Sequence, residues 1–324
     1  MPLAPIKTRL QALLDARRPN PAMAAGWTVF RQSPDGIDYA SIARPLQGRP
    51  TVNACGTAHL DIDDPRALAK WAKSLPLDRY PCCLLLNANE YQLLQIDTPP
   101  VPRNELRAAT RWRIKDLLDH PVDETTFDVL ASLSPDAAKG PGSVFVLAAH
   151  NTLIQKYMDL FRAANLPLLA IDTPETALWL LSGQVDLGKR AAAILTFTED
   201  AGILMLALNG ELIILRRIDL PLITLVDTDK SKLRGSLERI ALELHRSLDR
   251  FEDQFSPMTV SKLMVLAPPW LAGLQEYLAI NLPIPVESIK LQNLFDLSAV
   301  PALGSRDTQS HYLTLLAAAL RQVA

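Results

Sequence analysis

The chain has 324 residues, a formal net charge of −2 and a pI of about 6.2, so it lacks the overall basic field that attracts nucleic acid. Hydrophobic residues make up 48% and charged residues 21%, which is typical of a globular protein of one or two lobes with a substantial core. No apolar run reaches the roughly 18–20 residues of a membrane span, and the N-terminus does not resemble a secretory signal. We therefore expect a cytoplasmic protein.

The N-terminal segment 1–20 carries apolar residues at helical spacing and is followed by Pro21. The apolar residues are Ile6, Leu10, Leu13 and Leu14. A segment of this kind is compatible with a helix on a membrane surface, with a packing arm and with a disordered tail. The sequence leaves these alternatives open.

The first half of the chain alternates strands with helices. Pro34-Asp35-Gly36, between two alternating segments, is typical of a β-hairpin turn. The predicted strands are 27–31, 37–43, 51–59, 82–87, 91–97, 126–132, 143–149 and 166–171. The predicted helices are 65–75, 102–118, 151–164 and one that Thr173-Pro174-Glu175 opens.

The second half begins with three strands, and Asn209-Gly210 indicates a hairpin between the second and the third. A long helix follows, because apolar residues recur every three or four positions from Leu233 to Phe255. The predicted strands are 191–197, 202–208, 212–218, 262–267 and 286–289. The predicted helices are 232–255, 270–281 and 309–321. Three antiparallel strands followed by helix, strand and helix are the ribonuclease-H-like half-fold on which actin-like ATPases are built.

A search for catalytic motifs finds none. The sequence contains no P-loop, dinucleotide fingerprint, nucleophile elbow or HExxH motif. The five histidines show no metal-ligand spacing, and we interpret them as surface or capping residues. Cys55, Cys82 and Cys83 are interpreted as reduced core residues. The sequence thus predicts no catalytic, cofactor-binding or metal-ligating residue.

Two pairs of like-charged residues, each close together in sequence, are nevertheless conspicuous. Asp172 and Glu175 lie where a strand ends and a helix begins. Helix capping alone explains Asp172, and the alternative is an acidic residue that faces a nucleotide cleft. Arg216-Arg217, at the end of a strand, is interpreted as surface charge.

Three segments together resemble one protein family. They are LLLNANEYQLLQIDTPPVPRNELRAATRWRIKDLLDHPVDETTFDV at 84–129, LFRAANLPLLAIDTPETALWLL at 160–181 and LELHRSLDRFEDQF at 242–255. In order and spacing they are similar to PilM-like proteins of type IV pilus assembly, and most of all to the branch that serves MSHA pili. The resemblance covers about residues 26–322. Cytoplasmic domains of type II secretion proteins such as GspL are related in shape and role.

The resemblance implies an α/β, actin-like (ribonuclease-H-like) two-lobed fold with a small inserted α+β subdomain in the first lobe. The lobes are expected at 26–188 and 189–324, the inserted subdomain at about 98–165, and a reduced insertion of the second lobe at 219–232. The implied partner is the cytoplasmic tail of a PilN-like inner-membrane protein, and a pilus assembly ATPase is a further candidate. The protein is expected at the cytoplasmic face of the inner membrane, with only peripheral membrane contact.

The family's ATP binders carry three nucleotide loops, and all three are altered here. The first phosphate turn, 31–36, lacks their glycine and hydroxyl run. The second, 195–202, has Thr196 in place of an acidic residue. The adenosine loop contains Pro268 and Pro269, which lack the N–H group and the positive φ that glycine allows. We therefore predict a catalytically inactive scaffold without a cofactor. The alternatives are an ATP-binding or ATP-hydrolysing actin-like protein and a two-lobed adaptor without a pilus role.

In the family the tail binds between the first lobe and its inserted subdomain. That junction corresponds here to the strand 91–96 and the helix that carries Arg111, Trp112 and Arg113. Because Trp and Arg are frequent anchors of protein interfaces, we predict partner binding by Tyr91, Arg111, Trp112 and Arg113. The alternative is that Trp112 belongs to the subdomain core and that the arginines form a solvated face.

Overall fold

A computed structural model describes residues 25–45, 47–75, 77–102, 104–131, 143–184, 190–208, 211–220, 222–225, 229–256, 258–268 and 271–321. The expectation for residues 1–20 and the predicted turn at Asn209-Gly210 lie outside these ranges.

The elements follow the predicted order. The strands are β1 (Gly26–Ser33), β2 (Gly36–Ala43), β3 (Thr51–Ala58), β4 (Cys82–Leu85), β5 (Gln92–Asp97), β6 (Thr125–Ala131), β7 (Ser143–His150), β8 (Leu168–Asp172), β9 (Ala191–Phe197), β10 (Gly202–Leu208), β11 (Glu211–Ile218), β12 (Val260–Leu266) and β13 (Val286–Ser288). The α-helices are α1 (Pro65–Ser74), α2 (Leu106–Ile114), α3 (Asn151–Ala163), α4 (Pro174–Ser182), α5 (Lys230–Phe255), α6 (Ala272–Asn281), α7 (Leu291–Leu294) and α8 (Arg306–Ala318).

Two five-stranded sheets share one topology, with strand orders β3-β2-β1-β4-β8 and β11-β10-β9-β12-β13. In the first sheet, β3, β2 and β1 are antiparallel to one another in turn, and β4 and β8 run parallel to β1. In the second sheet, β11, β10 and β9 are antiparallel in turn, and β12 and β13 run parallel to β9. Every residue of β9 and β10 is buried, as expected for strands that are covered on both faces. The half-fold predicted for the second half of the chain is therefore present twice.

A three-stranded sheet, in the order β5-β7-β6, is inserted between β4 and β8. It packs against α2 through a small core that contains Ile114, Phe127 and Val144. β5 lies ahead of the predicted insertion at 98–165 but is hydrogen-bonded into this sheet. α3 lies within that predicted range but packs against the first five-stranded sheet. The inserted sheet therefore runs from β5 to β7, and the division into lobes at 26–188 and 189–324 stays a prediction.

Two helices join the halves of the molecule. α4 follows the first sheet in sequence but contacts β9, β10 and β11 of the second. α8, near the end of the chain, contacts β1 to β4 of the first sheet. The two helices also pack against each other, and their apolar residues share one core with Val29 of the first sheet and Met205 of the second. Each half thus contributes a helix that covers the sheet of the other.

The predicted bounds of two helices are wrong at both ends. α2 ends at Ile114, not at Leu118, and α8 ends at Ala318, not at Arg321. α2 begins at Leu106, not at Pro102, because the residues before it form a turn in which Glu105 N–H donates to Pro102 O. α8 begins at Arg306, three residues before the predicted start, because the Ser305 side chain caps its first turn by accepting from Thr308 N–H. None of the helices that the structure describes has the length and hydropathy that a bilayer crossing requires.

Candidate functional site

A transverse row of residues crosses the first sheet at the carboxyl ends of its parallel strands. In register from the edge, the row is Thr57, Asp38, Arg31, Leu85 and Asp172. Leu85 and Asp172 are the last residues of β4 and β8. Ligands of open α/β sheets bind outside the carboxyl ends of the strands, so this row is where a ligand-contacting surface is expected.

Asp38 is the centre of the row, and its side chain is fully buried. Its carboxylate accepts from Arg31 Nη2 at 2.6 Å and from Thr57 Oγ1 at 2.6 Å, and it lies 3.0 Å from His311 Nε2. Burial alone raises the pKa of this carboxyl group, but the hydrogen bonds with His311, Thr57 and Arg31 and the charge of Arg31 outweigh it and lower the pKa. Sequence analysis missed this cluster, because Asp38 and His311 are far apart in the chain.

α8 lies along this row and supplies partners for its polar groups. Tyr312 Oη lies 2.8 Å from Thr57 Oγ1, and Arg31 Nη1 lies 3.3 Å from Thr314 Oγ1. Beyond the helix, Arg321 holds both carboxylate oxygens of Asp172, with its Nε 3.0 Å from Oδ2. The polar side chains of the row are therefore bonded to the protein's own groups.

The interpretation of Asp172 as a helix cap is wrong. Thr173 is the N-cap of α4, and its side chain accepts from Thr176 N–H. The Asp172 carboxylate is turned to Arg321 instead, because a nearly buried carboxylate needs a charged partner. The alternative, a carboxylate that faces a nucleotide, is not tested by this contact and stays a prediction.

The second sheet has an equivalent row, in which Arg217, Ile203, Thr196 and Leu266 are in register. Arg217 Nε donates to Glu175 Oε1 at 2.8 Å, and the fully buried Glu175 carboxylate also accepts from Tyr91 Oη. The arginine was interpreted as surface charge, and that was wrong. It is largely buried because it joins the second sheet to α4 and to Tyr91.

Arg217 also contacts the first half of the molecule. Its guanidinium lies 4.7 Å from the centre of the Tyr91 ring, and its Nη1 is 3.5 Å from Ala88 O. Burial, followed by the charge of Glu175, raises the pKa of the Tyr91 hydroxyl. Tyr91, Glu175 and Arg217 form a polar contact that bridges the two halves at the carboxyl end of the second sheet.

The β9–β10 turn, which corresponds to the second phosphate loop, uses its polar groups internally, whereas in the β1–β2 turn the Ser33 hydroxyl is buried without a partner among the described residues. In the β9–β10 turn, Thr198 N–H donates to Ala201 O at 2.9 Å and Ala201 N–H donates to Thr198 Oγ1 at 3.3 Å. Thr196 is buried, and its hydroxyl donates to Leu266 O at 3.2 Å. In the adenosine-loop region, Pro268 O accepts from Leu271 N–H, and Pro269 and Trp270 lie outside the described residues.

The predicted docking residues separate into two groups. Arg111, Trp112 and Arg113 lie together on α2, where Trp112 is 73% exposed and Arg111 pairs with Asp123. Tyr91 is 7% exposed and is bonded within the contact between the halves. Trp112 is not part of the subdomain core, because Leu106, Thr110 and Ile114 form the buried side of α2. The binding role of the four residues stays a prediction.

The exposed face of α2 adjoins the edge strand of the inserted sheet. Among the described strands, β5 has β7 as its one neighbour. Arg113 Nη1 approaches Asp97 O at 3.5 Å, and Asp119 N–H, beyond the end of α2, donates to Gln92 Oε1 at 2.9 Å. Leu117, which follows the end of α2, is half exposed and is a second exposed apolar side chain of this segment.

The remaining reactive side chains do not form a site. Cys82 and Cys83 are buried and free, as predicted, and Cys55 is partly buried. Burial raises the pKa of the Cys82 thiol. His150 caps α3 by accepting from Thr152 N–H, in line with the capping interpretation. Within the described part of the chain, no three His, Cys, Asp or Glu side chains converge as metal ligands would.

Comparisons with known proteins identify the fold. No protein-family model matches the chain, and a search of curated proteins found no match. The chain is similar to a solved structure of a PilM-PilN type IV pilus biogenesis complex, with a TM-score of 0.69 and 21% identity over 94% of this chain and 100% of that chain. This similarity and the doubled sheet topology show the actin-like two-lobed α/β fold.

Two further structures resemble the chain less closely. The cytoplasmic domain of EpsL, an inner-membrane component of the type II secretion system of Vibrio cholerae, gives a TM-score of 0.46 and 13% identity over 90% of this chain and 95% of that chain. A Bacteroides thetaiotaomicron protein with an actin-like ATPase fold and unknown function gives a TM-score of 0.46 and 10% identity over 89% and 95%.

Proposed function

We propose that this protein is a scaffold of type IV pilus biogenesis that docks the cytoplasmic tail of a PilN-like inner-membrane protein. The observation that carries the proposal is the similarity along almost the whole chain to a structure of a PilM-PilN complex. The family resemblance of the quoted segments supports an MSHA-type pilus and a protein of the MshI kind. A pilus assembly ATPase is a further candidate partner.

The proposal includes a location. A scaffold that binds the cytoplasmic tail of a membrane protein works at the cytoplasmic face of the inner membrane. The described helices include none that could cross it. In this proposal, contact with the membrane is peripheral and includes the partner.

The proposal also includes the loss of ATP binding. Nucleoside triphosphates need backbone N–H groups and a magnesium-binding carboxylate near their phosphates. Here the candidate carboxylates Asp38, Asp172 and Glu175 are each paired with an arginine. Freeing such a carboxylate leaves a charge without its partner, which costs roughly 3–5 kcal/mol for a buried pair. These residues do not fit ATP with magnesium, and we assign no catalytic step to the protein.

The docking surface is assigned to the exposed face of α2 and the β5 edge beside it. An exposed Trp flanked by arginines provides the residue types that dominate binding energy in interfaces. The open edge of β5 offers main-chain groups to an extended peptide. A short tail can therefore bind along β5 with apolar side chains against Trp112.

The test is capture of a synthetic cytoplasmic tail of a PilN-like protein, measured by fluorescence anisotropy. Trp112→Ala is expected to weaken capture by about tenfold or more, because hot-spot truncations typically cost about 2 kcal/mol or more. Arg111→Glu with Arg113→Glu is expected to weaken it similarly. Both variants should keep the circular dichroism spectrum of the parent, because these side chains lie outside the core.

Ile280→Ala is the matched control, since Ile280 is 83% exposed on α6 in the second half of the chain. It removes a large exposed apolar side chain elsewhere and should leave capture unchanged. Folded Trp112 and arginine variants that capture the tail as tightly as the parent would remove this face from the site.

A further inference from the structure

A cavity of about 840 Å³ lies where the segment between β13 and α8 meets the loop before β3. The two parts are held together by main-chain bonds, because Val52 N–H donates to Asp296 O at 2.9 Å and Asp296 N–H donates to Pro50 O at 2.8 Å. Arg49 strengthens this junction by donating to Gln292 O. The volume lies within the range of about 300–1,000 Å³ of ligand sites.

Three cationic side chains line this cavity: Arg49, Lys290 and Arg306. All three residues are exposed, and none forms an ion pair with a residue that the structure describes. Asp296 is the acidic residue of the lining, and its Oδ1 accepts from Ser298 N–H at 3.0 Å. The hydrogen bonds from Ser298, and to a smaller extent the charge of Arg49, lower the pKa of the Asp296 carboxyl group. The cations therefore outnumber the carboxylate three to one, in a protein whose net charge is −2.

The floor of the cavity is apolar. Ile289, Phe295 and Leu303 are buried there, and Leu297 and Val300 are partly buried beside them. The first three belong to the protein core, so the apolar surface open to an occupant comes from Leu297 and Val300. An occupant that fits this lining has aliphatic side chains for these two residues and carboxylates for the three cations. Guanidinium groups bind carboxylates through charge-assisted hydrogen bonds.

We propose that this cavity, the cationic cavity, binds an acidic peptide segment of a protein partner in which Glu or Asp alternates with aliphatic residues. The cationic cavity lies on the β13–α8 segment and is lined by different residues from the α2 face. It is therefore a second docking point, and its test is independent of the proposed function. The described lining contains no exposed aromatic ring on which a nucleotide base could stack, which favours a peptide.

The probe is a fluorescein-labelled octapeptide of alternating glutamate and leucine, and its anisotropy is measured with the full chain. The comparison peptides replace glutamate by glutamine or by lysine. We expect binding of the acidic peptide only, and weaker binding as salt is raised, because rim charges are screened. Equal binding of the acidic and the glutamine peptide would overturn the proposal, as would no binding of the acidic one.

Variants locate the site. Lys290→Glu and Arg306→Glu, separately, are each expected to weaken binding of the acidic peptide by about tenfold, the equivalent of one charge-assisted contact. Lys70→Glu with Lys73→Glu is the control, because these lysines of α1 are exposed and lie outside the cavity. Similar losses in the cavity and control variants would overturn the proposal. Binding of anionic phospholipid vesicles that Lys290→Glu abolishes, without binding of the peptide, would assign the cavity to a membrane surface and also overturn it.

Discussion

At the scale of single residues, buried carboxylates are the main electrostatic feature of this protein. Asp38 and Glu175 have no exposed side-chain surface, and Asp172 has little. Each is bonded to an arginine and to at least one further donor. The pKa of the Asp38 carboxyl group is lowered in the folded state, so the ionised form of Asp38 stabilises the fold.

The first prediction is that Asp38→Asn destabilises the protein by about 3 kcal/mol at pH 7, because it leaves the Arg31 charge without its buried partner. A carboxyl group with a lowered folded-state pKa stabilises the fold above its unfolded value, near 3.9, and loses this contribution as the pH falls toward the folded value. The difference between parent and variant should therefore narrow below about pH 4. Urea denaturation of parent and variant at pH 7 and at pH 3 measures this difference in the free energy of unfolding.

Asp63→Asn is the control for this prediction. Asp63 pairs with Lys156, and both side chains are about half exposed. Exposed pairs contribute about 0–1 kcal/mol, so this variant should have little effect at either pH. A deficit of Asp38→Asn that stays constant from pH 7 to pH 3 would contradict the assigned role of the charge.

Sequence analysis predicted which side chains are apolar and buried more reliably than which charges are paired. The buried state of Cys82 and Cys83 followed from the apolar run around them. The partners of Asp172 and Glu175 could not be predicted from the sequence, because Arg321 and Arg217 lie 149 and 42 residues further along the chain. A local pattern contains no information about such contacts, and it therefore favoured the capping and surface interpretations.

At the scale of elements, the apolar strands were predicted most closely. The bounds of β9 and β10 agree with the prediction at both ends, because each strand is a continuous buried run between turns. The bounds of α2 were not predicted correctly. Polar residues continue its amphipathic sequence pattern beyond both ends of the helix. The shape of the β1–β2 turn depends on one residue, Gly36, which has a positive φ.

The second prediction concerns this turn. Gly36 has φ +132°, and an added Cβ would lie 2.2 Å from Ala58 O. Gly36→Ala should therefore destabilise the protein by more than about 1 kcal/mol, since both the backbone and the neighbouring strand must move. Gly235→Ala is the matched control, because Gly235 lies in α5 with open space around its Cα.

The control should stabilise the protein slightly, by about 0.5–1 kcal/mol, because alanine has the higher helix propensity. Urea denaturation of both variants gives the comparison. If Gly36→Ala proved as stable as the parent, the tight approach of the turn to β3 would be refuted.

At the scale of the whole molecule, the two halves are connected by exchanged helices and by buried charge. α8 lies across the first sheet, α4 packs on the second, and Arg217 joins Glu175 of α4 to Tyr91. The strand and helix order predicted the two sheets, but it could not predict this exchange of helices, which depends on how the sheets face each other. Opening the halves would expose the shared core and separate Tyr91 from Arg217, so it would destabilise the protein.

The last prediction is that ATP with magnesium leaves the melting temperature of the protein unchanged. A ligand that binds the native state at a hundredfold excess over its Kd stabilises it by about 2.7 kcal/mol, which in a chain of this size raises the melting temperature by several degrees. Differential scanning fluorimetry with millimolar ATP measures the effect. Tripolyphosphate with magnesium is the control, because it carries the phosphates without the nucleoside. A shift common to both compounds and absent from Lys290→Glu would come from the cationic cavity. A shift that only ATP produces, and that Lys290→Glu retains, would show a nucleotide site outside the cationic cavity. It would refute the proposed loss of ATP binding, which rests on the pairing of Asp38, Asp172 and Glu175 with arginines.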